Sequence, residues 1–354
     1  ALKADWKNDL WLQHVSPNLT KYFDGQLQLQ GDLSLYQHHG GGFSYQFNVD
    51  SNLEPLQVNL PEPYHKLAQS KKPLKVEVNG QLEQSTFNAT YGDQLSFFGV
   101  LDHDTSHFSR AHIVLGNEKM LLPMDGLHIT TNLAQADASV WQPLISDIIN
   151  TASHVRSTAQ YAEGSQNSID ELGDSSALFS NPERIRGNIG KLDLLGQSLH
   201  NVSFNFLDKT NWWLLQLNAK ETRSQIKFYP DWIEQGIDIN ADFIHIINPP
   251  KVVSNKEEAE QNRKDNEVIA SELTDDNVFS DIPKMKFYCE RCQIDNVNLG
   301  KVSFSLARTD ENIIKIENFK AKRERAEFNL SGEWQKLGAT STTSINGSLS
   351  LKNI

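Results

Sequence analysis

The 354-residue chain carries 45 acidic against 33 basic side chains, a formal charge of −12 with a pI near 5.4. That balance argues against nucleic acid as a partner, because phosphate binding needs a basic stripe to release counterions. Apolar residues make up 38% and mean hydropathy is −0.50, lean for a thick core and suited to thin, half-exposed sheets; neither a secretory h-region nor an apolar run of about 18 residues occurs in the sequence.

The first segment, 1–22, places Trp6, Leu10, Trp11 and Val15 near helical spacing before a Ser16-Pro17-Asn18 break, and is expected to form a short helix or a packing segment. From Gly25 to Leu35 apolar and polar residues alternate, Gly40-Gly41-Gly42 turns the chain, and Phe43, Tyr45, Phe47 and Val49 alternate back, the pattern of a β-hairpin. The turn's His38-His39 pair lacks any accompanying nucleophile or acid–histidine spacing and reads as turn chemistry. Leu60-Pro61-Glu62-Pro63 is an extended link, since proline drives the preceding residue out of helical space.

Alternation resumes at Leu74–Leu82, Phe87–Tyr91, Leu95–Leu101, His112–Leu115 and Leu121–Leu133. Asp102-His103-Asp104-Thr105-Ser106-His107 collects possible metal ligands, but it falls between two strands and reads as a solvated hairpin tip. From 137 to 160 the period changes: Val140, Trp141, Leu144, Ile145, Ile148, Ile149, Ala152 and Val155 recur every three or four residues, with Asp137 or Ser139 as N-cap. One amphipathic helix is therefore expected, lying over the end of a sheet because its polar face is not basic enough for a membrane surface.

After a polar loop to 181, the longest alternating run begins. Val202, Phe204 and Phe206 are followed by Leu215 and Leu217, Ile226 and Phe228, then Ile237, Ile239 and Phe243, each separated by polar residues. A period of two sends successive side chains to opposite faces, so Leu215, Leu217, Ile226, Phe228, Ile237, Ile239 and Phe243 are expected to form one continuous wall. Residues 248–281, dominated by Lys, Glu, Asp and Asn, read as a mobile charged insertion. Beyond it Val302, Phe304 and Leu306, Ile314 and Ile316, and Phe328 and Leu330 alternate again, separated by short polar turns, the sign of an antiparallel meander. The expected organisation is a β-unit over 1–135 with an N-terminal cover, the helix and loop over 136–181, a β-unit over 182–247, the insertion over 248–281 and a β-unit over 282–354.

Asn-x-Ser/Thr sequons begin at Asn18, Asn88, Asn201, Asn329 and Asn346, as expected by chance in so Asn- and Ser-rich a chain. Neither a nucleophile elbow, a phosphate-cradling loop, a His-Glu-x-x-His nor a dinucleotide fingerprint occurs, and no enzyme activity or cofactor is expected.

Several stretches carry a resemblance: Asp50-Ser51-Asn52-Leu53 through Leu60-Pro61-Glu62-Pro63, Ala111 to Gly116, and Gly126-Leu127-His128-Ile129 through Ala136-Asp137 to Trp141. Arg186-Gly187-Asn188-Ile189 to Leu195-Gly196, and Ile282 to Met285 through Cys289-Glu290-Arg291-Cys292 to Val302, continue it. In this order, over about residues 30–340, they resemble the AsmA-like family of bacterial envelope proteins. The resemblance implies an elongated antiparallel β-sheet curled into a groove in the periplasm and an inner-membrane anchor upstream of this segment. It further implies glycerophospholipid transfer toward the outer membrane, partners on that side, and no catalytic residues. The groove lining would comprise Phe43, Tyr45, Phe47, Val49, Leu215, Leu217, Ile226, Phe228, Ile237, Ile239, Phe243, Val302, Phe304, Leu306, Ile314, Ile316, Phe328 and Leu330. In an oxidising periplasm Cys289 and Cys292 are read as a local disulfide; a lone Cys-x-x-Cys lacks the second ligand pair of a zinc site and the surrounding pattern of a thioredoxin. A β-sandwich or solenoid whose apolar faces pack on each other stays open as the alternative, with an outer-membrane barrel third because these strands are short and interrupted.

Overall fold

A computed structural model describes residues 2–7, 17–118, 124–145, 147, 179, 182–194, 196–209, 211–230, 232, 234–247, 282–310, 312–337 and 340–351. The chain is almost entirely β, antiparallel pairs dominate, and it divides into two compact units, Ala1–Ser198 and Leu199–Ile354.

In the first unit, β1 (Leu2–Lys7) precedes a 3₁₀ turn (Pro17–Tyr22), then come β2 (Phe23–Gln37), β3 (Phe43–Ser51), the short β4 (Leu56–Val58), β5 (Leu74–Gly80), β6 (Gln84–Tyr91), β7 (Leu95–Asp102), β8 (His107–Gly116), β9 (Gly126–Asp137) and β10 (Pro182–Leu194). Residues 2–7 are thus a strand paired to β2 rather than part of a helix, because lateral hydrogen bonding to an existing edge overrides a weak local period. Hairpins link β2–β3 and β5 through β8 as the alternation predicts. Gly41 and Gly42 take positive φ, 91° and 86°, to turn β2 into β3. The tip at 102–107 is an Asx turn in which Asp102 Oδ1 accepts the Asp104 and Thr105 backbone N–H groups, each at 3.0 Å.

Two pairings, β8 with β9 and β9 with β10, are parallel, a departure from the expected antiparallel order. The expected strand at 121–133 accordingly runs from 126 to 137.

One end of this unit carries a cap. The link between β3 and β5 folds inward, burying Leu53, Leu56, Val58 and Tyr64 at 2–3% exposure. Lys66 Nζ donates to the Leu56 and Leu67 carbonyls at 2.5 and 3.1 Å, and Tyr91 donates to the Tyr64 carbonyl at 3.1 Å. Burial pushes the Tyr91 hydroxyl up to about 12 and the Lys66 ammonium down. The predicted helix follows β9 directly: 138–145 and 147 are helical, Asp137 Oδ1 caps it by accepting the Ser139 N–H at 2.9 Å, and the remainder of 137–160 falls outside the described residues. Trp141 packs edge-on against Tyr64, with ring centroids 5.9 Å apart. Asp147 accepts from Tyr22 at 2.6 Å and pairs with Lys21 at 2.7 Å. Those two bonds hold its carboxyl below its ordinary range, while burial and the Asp147 charge push the Tyr22 hydroxyl up to about 12.

The second unit holds β11 (Gln197–Asp208), β12 (Trp213–Asn218), β13 (Thr222–Phe228), β14 (Ile237–Ile246), β15 (Met285–Ile294), β16 (Val297–Asp310), β17 (Ile313–Arg323), β18 (Ala326–Leu337) and β19 (Thr340–Leu351). Successive strands pair antiparallel, except for the parallel pair β14–β15, the two strands that flank residues 248–281. A parallel pair needs a connection that returns to the starting end. The charged insertion, itself outside the described residues, lies in that connection.

Candidate functional site

Directly opposed residues in a ladder share a face, so the registers of the second unit trace its apolar side without ambiguity. One row runs Trp213, Phe228, Ile237, Met285, Leu306, Ile316, Gly332, Ile345. A second runs Phe206, Leu215, Ile226, Ile239, Phe287, Phe304. A third crosses every strand: Phe204, Leu217, Ser224, Ala241, Cys289, Val302, Ala321, Phe328, Leu349. Leu330 opposes Phe319, and Ile314 opposes Trp334, on the same side. Every predicted wall residue of this unit but one is therefore brought together.

The exception is Phe243. A bulge in β14 lets Ser224 oppose Ala241 while Arg223 opposes Phe243, so Phe243 turns to the polar side, between the Arg223 and Arg291 guanidiniums at 5.9 and 5.7 Å. Ile244 takes its place on the wall, packed with Ala241, Cys289, Cys292 and Val302. An extra residue in one strand shifts the phase of everything after it, which strict alternation does not register.

The neighbouring β15 is irregular at the same level, between Cys289 and Cys292. Residues i and i+3 of a regular strand lie about 10 Å apart on opposite faces; here the Cα atoms are 5.8 Å apart and the two cysteines are disulfide-bonded, as read from the sequence.

Aromatic rings missed by the list above line the same face. Phe206 stacks on Trp213 at 4.7 Å, Phe287 on Phe304 at 4.7 Å, and Phe304 on Phe319 at 6.0 Å. Phe319 escapes an alternation count because β17 shifts register between Ile316 and Phe319, with Asn318 at positive φ, 53°. Most wall side chains are only half buried, and Phe328, Ile345, Leu349 and Leu351 are exposed. Among the described residues of this unit every strand belongs to the one ladder.

The other face carries Ser203, Asn205, Gln216, Gln225, Lys227, Asp238, Asn240, Lys286, Ser303, Lys320 and Glu327 at matching registers. A shallow concavity of about 350 Å³ there is lined by side chains such as Asn205, Gln216 and Asn240, and Asn205 donates to Gln216 at 3.0 Å. At the opposite strand end from Trp213, the buried Glu221 carboxylate accepts both the backbone N–H and the ring of His200 at 2.7 Å. Burial pushes that carboxyl up, but the His200 bonds outweigh it and hold it below its ordinary value.

In the first unit, Phe43, Tyr45, Phe47 and Val49 share a face with Val78, Val76, Phe87 and Phe97. Val49 is buried beneath the cap end, whereas Phe43 at the glycine turn is 45% exposed. Tyr45 lies over Gly80, where a Cβ would sit 2.2 Å from its ring. Its hydroxyl bonds Ser85 Oγ at 2.6 Å, which in turn bonds His103 Nε2 at 2.6 Å. Phe108 contacts Phe87, Phe97 and Phe179 at 4.8–5.4 Å. Gly99 leaves the room, since a Cβ there would stand 2.6 Å from Phe108 and 2.7 Å from Phe97. Among the described residues no group of three acidic, His or Cys side chains could hold a metal, and no helix is long and apolar enough to cross a membrane.

One face of the second unit's sheet is thus mainly apolar and the other amide- and charge-lined, as the resemblance to the AsmA-like envelope class implies. The family model described as YhdP protein matches residues 1–354, and the chain belongs to that family of bacterial envelope proteins. No curated protein and no solved structure matches the sequence.

Proposed function

We propose that this chain is a non-enzymatic, periplasmic segment of a lipid conduit whose apolar faces carry phospholipid acyl chains between the inner and outer membranes. The observation that carries the reading is the wall of the second unit. Its longest row runs over eight interstrand steps, about 38 Å along the ladder at ~4.8 Å each, longer than the roughly 15 Å of one bilayer leaflet's hydrocarbon. Lipids can therefore follow one another along it. Each methylene removed from water contributes about 0.8 kcal/mol, so a charge-free lining holds an acyl chain without specific polar contacts and lets it slide. A packed sandwich would need a second layer on these rows, and the half-exposure of Phe304 and Phe228 favours the open trough.

Photo-crosslinking tests it. Reactive residues at Phe228 and Phe304 are expected to capture phospholipid from cells, and residues at Gln225 and Ser303 on the polar face are expected to capture none. Equal labelling of the two faces, or a purified chain free of phospholipid in native mass spectrometry, would falsify the reading.

A further inference from the structure

The interior of the second unit's wall holds no charge; by register, charged residues reach its apolar side only near strand ends, as Asp208, Arg308, Lys336 and Arg323. Arg308 stands out among them. It opposes Ile314 in line with Val302, Phe304 and Leu306, and its side chain is only 17% exposed. Its Nη2 donates to the carboxylate of Glu234, in the connection between β13 and β14. From that connection Trp232 sets its ring edge-on to Phe228 at 6.5 Å, and Glu234 meets Arg308 on β16. Lys336, two residues beyond Trp334 on β18, brings a second cation to the same side and the same end.

Resting on the lipid reading above, we infer that Arg308 anchors the phosphate of a lipid headgroup at the margin of the trough, with Glu234 holding the guanidinium in place until the phosphate displaces it. A half-buried guanidinium is a poor stability device, because desolvation consumes most of what ion pairing returns. Its planar fork, however, matches two phosphate oxygens at once, which an ammonium does not. Acyl chains laid on Leu306, Phe304 and their row neighbours place the glycerol phosphate at the strand ends, where Arg308 stands. Glu234, a carboxylate 56% exposed on a connection, is a replaceable partner.

The test uses the whole chain loaded with dioleoylphosphatidylglycerol or with dioleoylglycerol, which has the same acyl chains and no phosphate, and reads retention by native mass spectrometry. The wild-type chain is expected to retain the phospholipid about tenfold better, equivalent to one charge-assisted contact. Arg308→Gln should bring the two lipids within about twofold while leaving dioleoylglycerol unchanged, Arg308→Lys should fall between, and Glu234→Gln, at an exposed position, should raise phospholipid retention. A preference that survives Arg308→Gln, or that Glu234→Gln lowers, overturns the assignment with the lipid reading intact. Binding of inorganic phosphate to the lipid-free chain as tight as that of the phospholipid, and lost in Arg308→Gln, overturns the headgroup in favour of a soluble anion. Retention of neither lipid by the wild-type chain sinks both readings together.

Discussion

The capped end of the first unit and the wall of the second are built from the same alternating strands, yet they bury their apolar residues to different depths. At the cap, Leu53, Leu56, Val58 and Tyr64 are nearly sealed from water because an extra stretch of chain, a 3₁₀ turn and a helix lie across the strand ends. On the wall, Phe228, Phe304 and Leu306 stay half buried. The alternation thus makes an apolar face, and what the chain lays across that face decides whether it becomes a core or a surface.

The sharpest way to break the comparison is a matched pair of truncations. Tyr64→Ala removes a sealed aromatic and its hydrogen bond, and is expected to cost about 3–5 kcal/mol, seen as a lower denaturant midpoint. Phe304→Ala, from a half-exposed ring, should cost less than half as much but reduce bound phospholipid. Equal costs would show that the wall is as well packed as the cap.

Next in size is the disulfide. Closing so short a loop is worth about 2 kcal/mol in the chain-entropy account, so Cys289→Ser with Cys292→Ser should lower the denaturant midpoint of the second unit and leave the first unit's unchanged. A uniform shift of both would contradict the assignment of that crosslink to local order.

The smallest effect concerns Glu221. Its folded-state carboxyl lies below its usual 4.5, so its charge contributes stability that is present above about pH 4.5 and lost as pH falls through the lower folded value. Glu221→Gln should flatten the acid limb of the second unit's stability profile while leaving neutral-pH unfolding less affected, which hydrogen exchange at backbone amides of β11 to β13 can follow. An unchanged acid limb would remove Glu221 from the account.

Strands were legible wherever side chains alternate, because period two is a local property of a half-exposed sheet. The wall rows were legible for the same reason, except at Phe243, which went astray because a bulge is set by the partner strand, and the composition around Asp242 carries no mark of it. Tyr64, next to the proline-bounded link at Leu60–Pro63, carries no mark of its burial, since the ring that packs on it belongs to a helix more than seventy residues away. Three parallel pairings were equally invisible, as strand direction is a matter of where the chain re-enters. Cys289 and Cys292 did hold a hint: a bond between residues three apart on a strand requires that strand to be irregular.

That irregularity has a mechanical consequence. Bulged strands bend and coil more than their neighbours, and β14 and β15 are interrupted side by side, at the level where Ala241 and Cys289 have 1% and 0% exposure. Both irregularities thus fall at one level of the wall, and the Cys289–Cys292 bond closes the one in β15. Reducing that bond is expected to loosen the strand at this level and leave the rows on either side of it in register.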